Sequence, residues 1–291
     1  MNLKKTCIAL ALAGGFVSTA NAAPTVISLG GTSATIADSG LFSSSTALGL
    51  SNGGLEYINN GTWVSNYTLR DSNGIIATAN QVQGDASNPF GAIPFGATSN
   101  AISTIGSAGG WGFVATETIA APGHLVYTIT ITNNTGADSV GAMWGFGIDP
   151  DQGIPGGFGF GTTNVIDGAA LLASVTATSS DGYFVTLRDI TGAGAQLVQP
   201  YVDPACCSYV DPLLMYAAAQ PVGSYGFADH TINLAFTLGK NGVLRYGEST
   251  VLGYELAMVM GAVPEPETYA MFMAGLGLMG FIARRRKSSQ A

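Results

Sequence analysis

The chain has 291 residues, of which only 10% are charged and 41 are glycine, with eighteen acidic against ten basic side chains and a formal net charge of −8. That balance is unsuited to phosphate backbones and excludes the nucleic-acid-binding classes. Three cysteines cannot build a disulfide framework, and the length leaves room for one sizeable domain between terminal signals.

Residues 1–22 read as a secretory signal peptide. Lys4 and Lys5 give a positive start, Cys7 to Val17 an apolar stretch, and Ala20-Asn21-Ala22 a small-residue cleavage site before Ala23. Cys7 precedes the cleavage site and leaves with the peptide. The exported region, residues 23–262, keeps only Arg70, Arg188, Lys240 and Arg245 against sixteen of the eighteen acids, a net charge near −12. Cations or neutral sugars suit such a surface better than anions.

Along this region short alternating apolar runs are broken by Gly, Asn, Asp and Pro, the pattern of an all-β chain. Strands are expected at 62–69, 74–82, 111–119, 125–132, 140–148, 169–178, 183–188, 231–238 and 250–259. The clearest is 125–132, with Leu125, Tyr127, Ile129 and Ile131 on one face and Val126, Thr128, Thr130 and Thr132 on the other. Asn133-Asn134-Thr135-Gly136 turns the chain, and 140–148 is expected to return as the partner strand. The segments 39–60, 84–110 and 192–220 read as loops or connections. With no convincing amphipathic helix, these strands predict an antiparallel β-sandwich, jelly-roll-like or Greek-key. A parallel β-helix is the alternative, but the glycines and threonines show no fixed period.

Several residue groups are candidates for chemistry. Gly49-Leu50-Ser51-Asn52-Gly53 matches the nucleophile-elbow pattern of serine hydrolases, with His124 and His230 as the available bases, yet neither the preceding strand nor the following helix is evident. Asp149-Pro150-Asp151-Gln152-Gly153 sets two carboxylates two residues apart in a turn. Calcium takes six to eight oxygens, so Asp149 and Asp151 are the metal candidates, with Asp167 or another distant acid to complete the site; a solvated turn is the plain alternative. No other cofactor is expected. Trp63, Trp111, Trp144, Phe146, Phe158 and Phe160 offer faces for stacking on sugars or, as aromatics in a sandwich usually do, fill the core. Cys206 and Cys207 are adjacent. Neighbouring Cα atoms lie ~3.8 Å apart against ~5.5 Å in a typical disulfide, so they form a strained vicinal disulfide, pair with another chain, or stay as thiols.

The C-terminus holds the box Val263-Pro264-Glu265-Pro266, an uncharged run at 268–283, and a basic cluster, Arg284, Arg285, Arg286 and Lys287. Prolines stop the preceding element, the apolar run enters a bilayer as a single transmembrane helix, and the cluster stays cytoplasmic. Residues 269–283 reach only ~22 Å as a helix, against a hydrocarbon core of ~30 Å, a short anchor. This order resembles the PEP-CTERM sorting signal, also catalogued as the ice-binding protein C-terminal domain, over residues 263–287. The resemblance implies that an exosortase of a Gram-negative, exopolysaccharide-producing bacterium reads the box and cuts near it. The protein would pass through an inner-membrane-anchored intermediate to the cell surface or exterior.

Together these readings point to an exported, non-enzymatic surface or matrix protein associated with exopolysaccharide or biofilm. The alternatives are a carbohydrate-binding module, calcium-dependent or not, and more distantly a secreted hydrolase using Ser51 or an ice-binding protein built on the 128–132 threonines.

Overall fold

The computed structural model describes residues 23–43, 49–58, 64–82, 85–151, 161–169, 173–192, 196–205 and 210–259, and beyond these only Ala274. Residues 1–22, read as a signal peptide, and all of the tail at 263–287 except Ala274 lie outside the described residues. No helix among the described residues is long and apolar enough to cross a membrane.

Among the described residues the chain is mostly β-sheet, with one short helix in the body. β1 (Thr25–Leu29), β2 (Thr32–Ile36), β3 (Leu50–Asn52) and β4 (Leu55–Glu56) form a small antiparallel sheet. The chain then enters a six-stranded sheet through β5 (Val64–Asp71), β6 (Gly74–Val82) and β7 (Asp85–Ser87). It crosses to a nine-stranded sheet through β8 (Ile93–Phe95), β9 (Ala101–Ala108), β10 (Trp111–Ala121) and β11 (His124–Asn133). After the short β12 (Ser139–Val140) it returns to the six-stranded sheet as β13 (Met143–Ile148), and crosses back to the nine-stranded sheet as β14 (Thr162–Gly168), β15 (Ser174–Ser179) and β16 (Phe184–Asp189). β17 (Val198–Asp203), the helix α1 (Pro212–Ala218), β18 (Gly223–Ala228), β19 (Thr231–Thr237), β20 (Val243–Leu244) and β21 (Ser249–Val259) complete it. The orders are β18-β14-β15-β16-β21-β11-β10-β9-β8 and β17-β19-β13-β5-β6-β7, and all neighbours in both sheets pair antiparallel.

The two large sheets face each other across one apolar core. β11 shows why: Leu125, Tyr127, Ile129 and Ile131 are buried on its inner side, while Thr128 is exposed and Val126, Thr130 and Thr132 are half-buried on the other. Aromatic rings bridge the sheets. Tyr254 of β21 stacks on Phe146 of β13 at 4.3 Å, Tyr127 of β11 meets Phe146 at 5.3 Å, and Phe113 of β10 meets Trp144 of β13 at 5.9 Å.

The expected partnership of 125–132 with 140–148 does not form. β11 pairs with β10 and β21, whereas β13 lies in the opposite sheet between β5 and β19. The reason is that β13 is buried at all six positions, so it needs cover on both faces, which a half-solvated hairpin strand would not supply. On one face Trp144, Phe146 and Ile148 enter the core. On the other, Gly145 and Gly147 leave room for close neighbours: a Cβ at Gly145 would sit 2.7 Å from Pro212 Cγ, and one at Gly147 would collide with Asn233 Oδ1.

Three regions read as connections also contain regular structure. The segment 39–60 holds β3 and β4, 84–110 holds β7, β8 and β9, and 192–220 holds β17 and α1. α1 has Pro212 in its first turn, and the side chain of its N-cap Asp211 accepts from the Leu213 amide. It lies on the outer face of the six-stranded sheet, where Met215 packs with Ala235 and Tyr201. Arg70 Nη1 of β5 donates to both Asp211 oxygens at 2.7 and 2.6 Å. Arg70→Met is therefore expected to lower the urea-unfolding stability by about 1–3 kcal/mol, since a charge-assisted bond is lost at a mostly buried site. Asp211→Asn, which keeps an N-cap side chain, should cost less than Asp211→Ala, which removes the cap as well.

Candidate functional site

Among the described residues, one group of three acidic side chains lies at one end of the six-stranded sheet. Asp149 follows the last residue of β13, Asp151 stands two residues on, and Asp229 precedes β19. Ile148 pairs with Ile232 in the β13–β19 ladder. Extending that register three places sets 151 across from 229, so antiparallel pairing brings the distant acid to the turn. One carboxylate oxygen from each of the three lies within 4.8 Å of the others. Asp149 and Asp151 are buried, Asp229 is half-buried, and His230 stands next to it in the chain. Burial pushes the carboxyls of Asp149 and Asp151 well above the usual range, and the neighbouring carboxylates push them further. Burial also raises Asp229, while His230 pulls it back.

Asp167, the third acid considered from sequence, does not join this group. It is exposed on β14, where its Oδ2 accepts from Thr176 at 2.5 Å. The missed acid is Asp229, and its only sequence signal was an Asp-His pair in front of an apolar strand.

The other candidates disperse. Ser51 is buried in β3 with its Oγ 2.7 Å from Ser33 Oγ of β2. The chain after it runs through Gly53 and Gly54 into a second strand, so the strand-to-helix turn that exposes a nucleophilic serine is not formed there. His124 Nδ1 lies 2.5 Å from Glu255 Oε1, whose other oxygen accepts from Arg188 Nε at 2.6 Å. Trp111, Trp144 and Phe146 are core residues with 1% exposure or less, which removes them as sugar-stacking faces. Trp63, Phe158, Phe160, Cys206 and Cys207 lie outside the described residues, as do Val263 to Pro266 and Arg284 to Arg286.

Threonines do form more than one row on the outer face of the nine-stranded sheet, since Thr116 pairs with Thr128 and Ser103, and Thr176 with Thr186. Several of their hydroxyls bond one another: Ser103 to Thr116 at 2.9 Å, Thr176 to Thr186 at 2.9 Å, and Thr132 to Ser249 at 2.8 Å. Hydroxyls committed in this way are poorly placed to template water.

Glu117 of β10 points into the core, fully buried, and neither carboxylate oxygen has a hydrogen-bond partner. Burial pushes its carboxyl up to about 8. The sequence carried a signal for this placement, because Glu117 shares the parity of Trp111, Phe113, Ala115 and Ile119.

Residues 262–287 match the PEP-CTERM protein-sorting motif. No curated protein matches the chain. Among solved structures a polysaccharide lyase is similar at 12% identity with a TM-score of 0.35, over 84% of this chain. The chain spans only 33% of the lyase, and so slight a likeness carries no argument about activity.

Proposed function

We propose that this chain is an exported, non-catalytic β-sandwich protein of the cell surface or extracellular matrix. In this reading an exosortase takes it from an inner-membrane-anchored intermediate and cuts near Pro266, and it works in association with exopolysaccharide. The observation that carries the reading is the sorting motif at 262–287 placed behind a β-rich body. The body's charge supports it. Of the four basic residues of the exported region, Arg70 is engaged with Asp211 and Arg188 with Glu255, so little positive charge is left to recruit polyanions such as nucleic acid. Neutral or cation-bridged polysaccharide is the better match for an acidic surface.

Mass spectrometry of the protein recovered from the extracellular fraction tests this directly. The expected C-terminus lies near Pro266. Recovery of a chain that still carries Arg284 to Lys287, confined to the membrane fraction, would instead establish a permanent anchor and remove the sorting step.

A further inference from the structure

We propose that Asp149, Asp151 and Asp229 bind one divalent cation of the calcium class, tying the end of β13 to the connection between β18 and β19. The spacing suits one ion. Calcium binds oxygen at about 2.3–2.6 Å, so ligands on opposite sides of it stand about 4.6–5.2 Å apart, and three oxygens within 4.8 Å of one another fit in one coordination sphere.

A cluster of exposed acids would mean little. Here Asp151 is 2% exposed, its carboxylate belongs to the three-acid group, and its buried Oδ1 has no hydrogen-bond partner. Asp229 Oδ1 is likewise buried and unpartnered. Burying a carboxylate without a partner costs several kcal/mol, and placing others beside it adds repulsion. An ion with charge +2 removes both costs at once. The described ion pairs commit Arg70 to Asp211, Arg188 to Glu255 and Arg245 to Glu248, away from this group. The same face of the sheet supplies more buried oxygen one step back along the strands. Asn233 is fully buried, and its Oδ1 lies unpartnered over Gly147, where any side chain would collide with it. An all-oxygen donor set with carboxylates dominant selects hard cations. The site would stiffen the fold only after export, into surroundings where calcium is plentiful.

The full chain, freed of metal with chelator, should bind one calcium per molecule in equilibrium dialysis. Its melting temperature should rise by roughly 5–10 °C at a hundredfold excess over Kd. Asp151→Asn should melt higher than the wild type in chelator, because one repelling charge is gone, and should no longer respond to calcium. This crossed result is one that a merely structural aspartate would not give. Asp229→Asn, at the half-buried position, should lose the response as well and serves if the Asp151 variant does not fold. Asp167→Asn, outside the group, should respond like the wild type. Absence of calcium binding by the wild type, or full calcium response in the Asp151 and Asp229 variants, overturns the proposal. Preferential binding of zinc, with His230 as an added ligand, overturns the calcium assignment.

Discussion

Tyr254→Ala is expected to lose about 3–5 kcal/mol of unfolding free energy, a large share of the roughly 5–15 kcal/mol that holds a domain together. Tyr254 is 1% exposed on β21, the strand at the middle of the nine-stranded sheet. Its ring stacks on Phe146 at 4.3 Å and Tyr127 at 4.8 Å and reaches Phe236 at 6.0 Å, so it touches β13 and β19 of the opposing sheet as well as its neighbour β11. Truncation removes the transfer energy of a full ring, leaves a cavity, and breaks three aromatic contacts worth about 0.5–1.5 kcal/mol each, part of the same total. Tyr254→Phe keeps the ring and should cost less than about 1.5 kcal/mol. Equilibrium urea unfolding of both variants at one pH checks the pair. A loss below about 1 kcal/mol for Tyr254→Ala would mean that the sheets are not joined through this ring.

The same strand shows how far sequence reasoning reached. Period-two alternation placed 125–132 in a strand and sorted the β11 side chains between the two faces correctly, because that strand has one covered and one wetter side, whereas β21, expected at 250–259, alternates only at its start and is buried from Leu252 to Met258. The bounds 74–82 agree with β6 end for end. Alternation failed where it was physically absent. β13 has glycine on its second face and is buried throughout, so nothing in Met143-Trp144-Gly145-Phe146-Gly147-Ile148 announces that it leaves the sheet of β11. β9, Ala-Ile-Ser-Thr-Ile-Gly-Ser-Ala, is made of small and polar residues that also compose loops, and β14 likewise escaped notice. α1 has only seven residues, too few to display a helical period.

At the acidic cluster the local half, Asp149 and Asp151, was legible because the residues sit in one turn. Asp229 was not. Its place depends on which strand pairs with β13 and in which register, information that lies in the packing of Trp144, Phe146 and Phe236 and not in any motif. The sorting tail is the opposite case. A linear signal is read as a sequence, so the segment read as 263–287 and the motif match at 262–287 differ by one residue.

Glu117→Gln is expected to stabilise the protein by up to about 5 kcal/mol at pH 8 and above, and to change little near pH 4.5. Glu117 is fully buried with both oxygens unpartnered, and burial lifts its carboxyl from 4.5 to about 8. A raised value means that the folded state holds the proton more tightly than the unfolded chain. The favourable contribution is therefore complete below pH 4.5. It falls as pH rises through the window from 4.5 to 8 and is flat beyond it. Glutamine fills nearly the same space without a charge to bury, which removes this part of the slope.

Glu56 adds a second slope in the wild type. Burial raises its carboxyl to about 7, although it accepts from the Leu50 and Ile58 amides at 3.0 and 3.2 Å. The difference between wild type and Glu117→Gln, measured by urea unfolding from pH 4.5 to 9 in the presence of chelator, cancels that contribution and isolates Glu117. Parallel curves would show that Glu117 titrates alike in the folded and unfolded chain. A gap that opens between pH 4.5 and 8 and then stays constant would show that the body of this protein carries a neutral acid at its centre, and that alkaline surroundings loosen it from within.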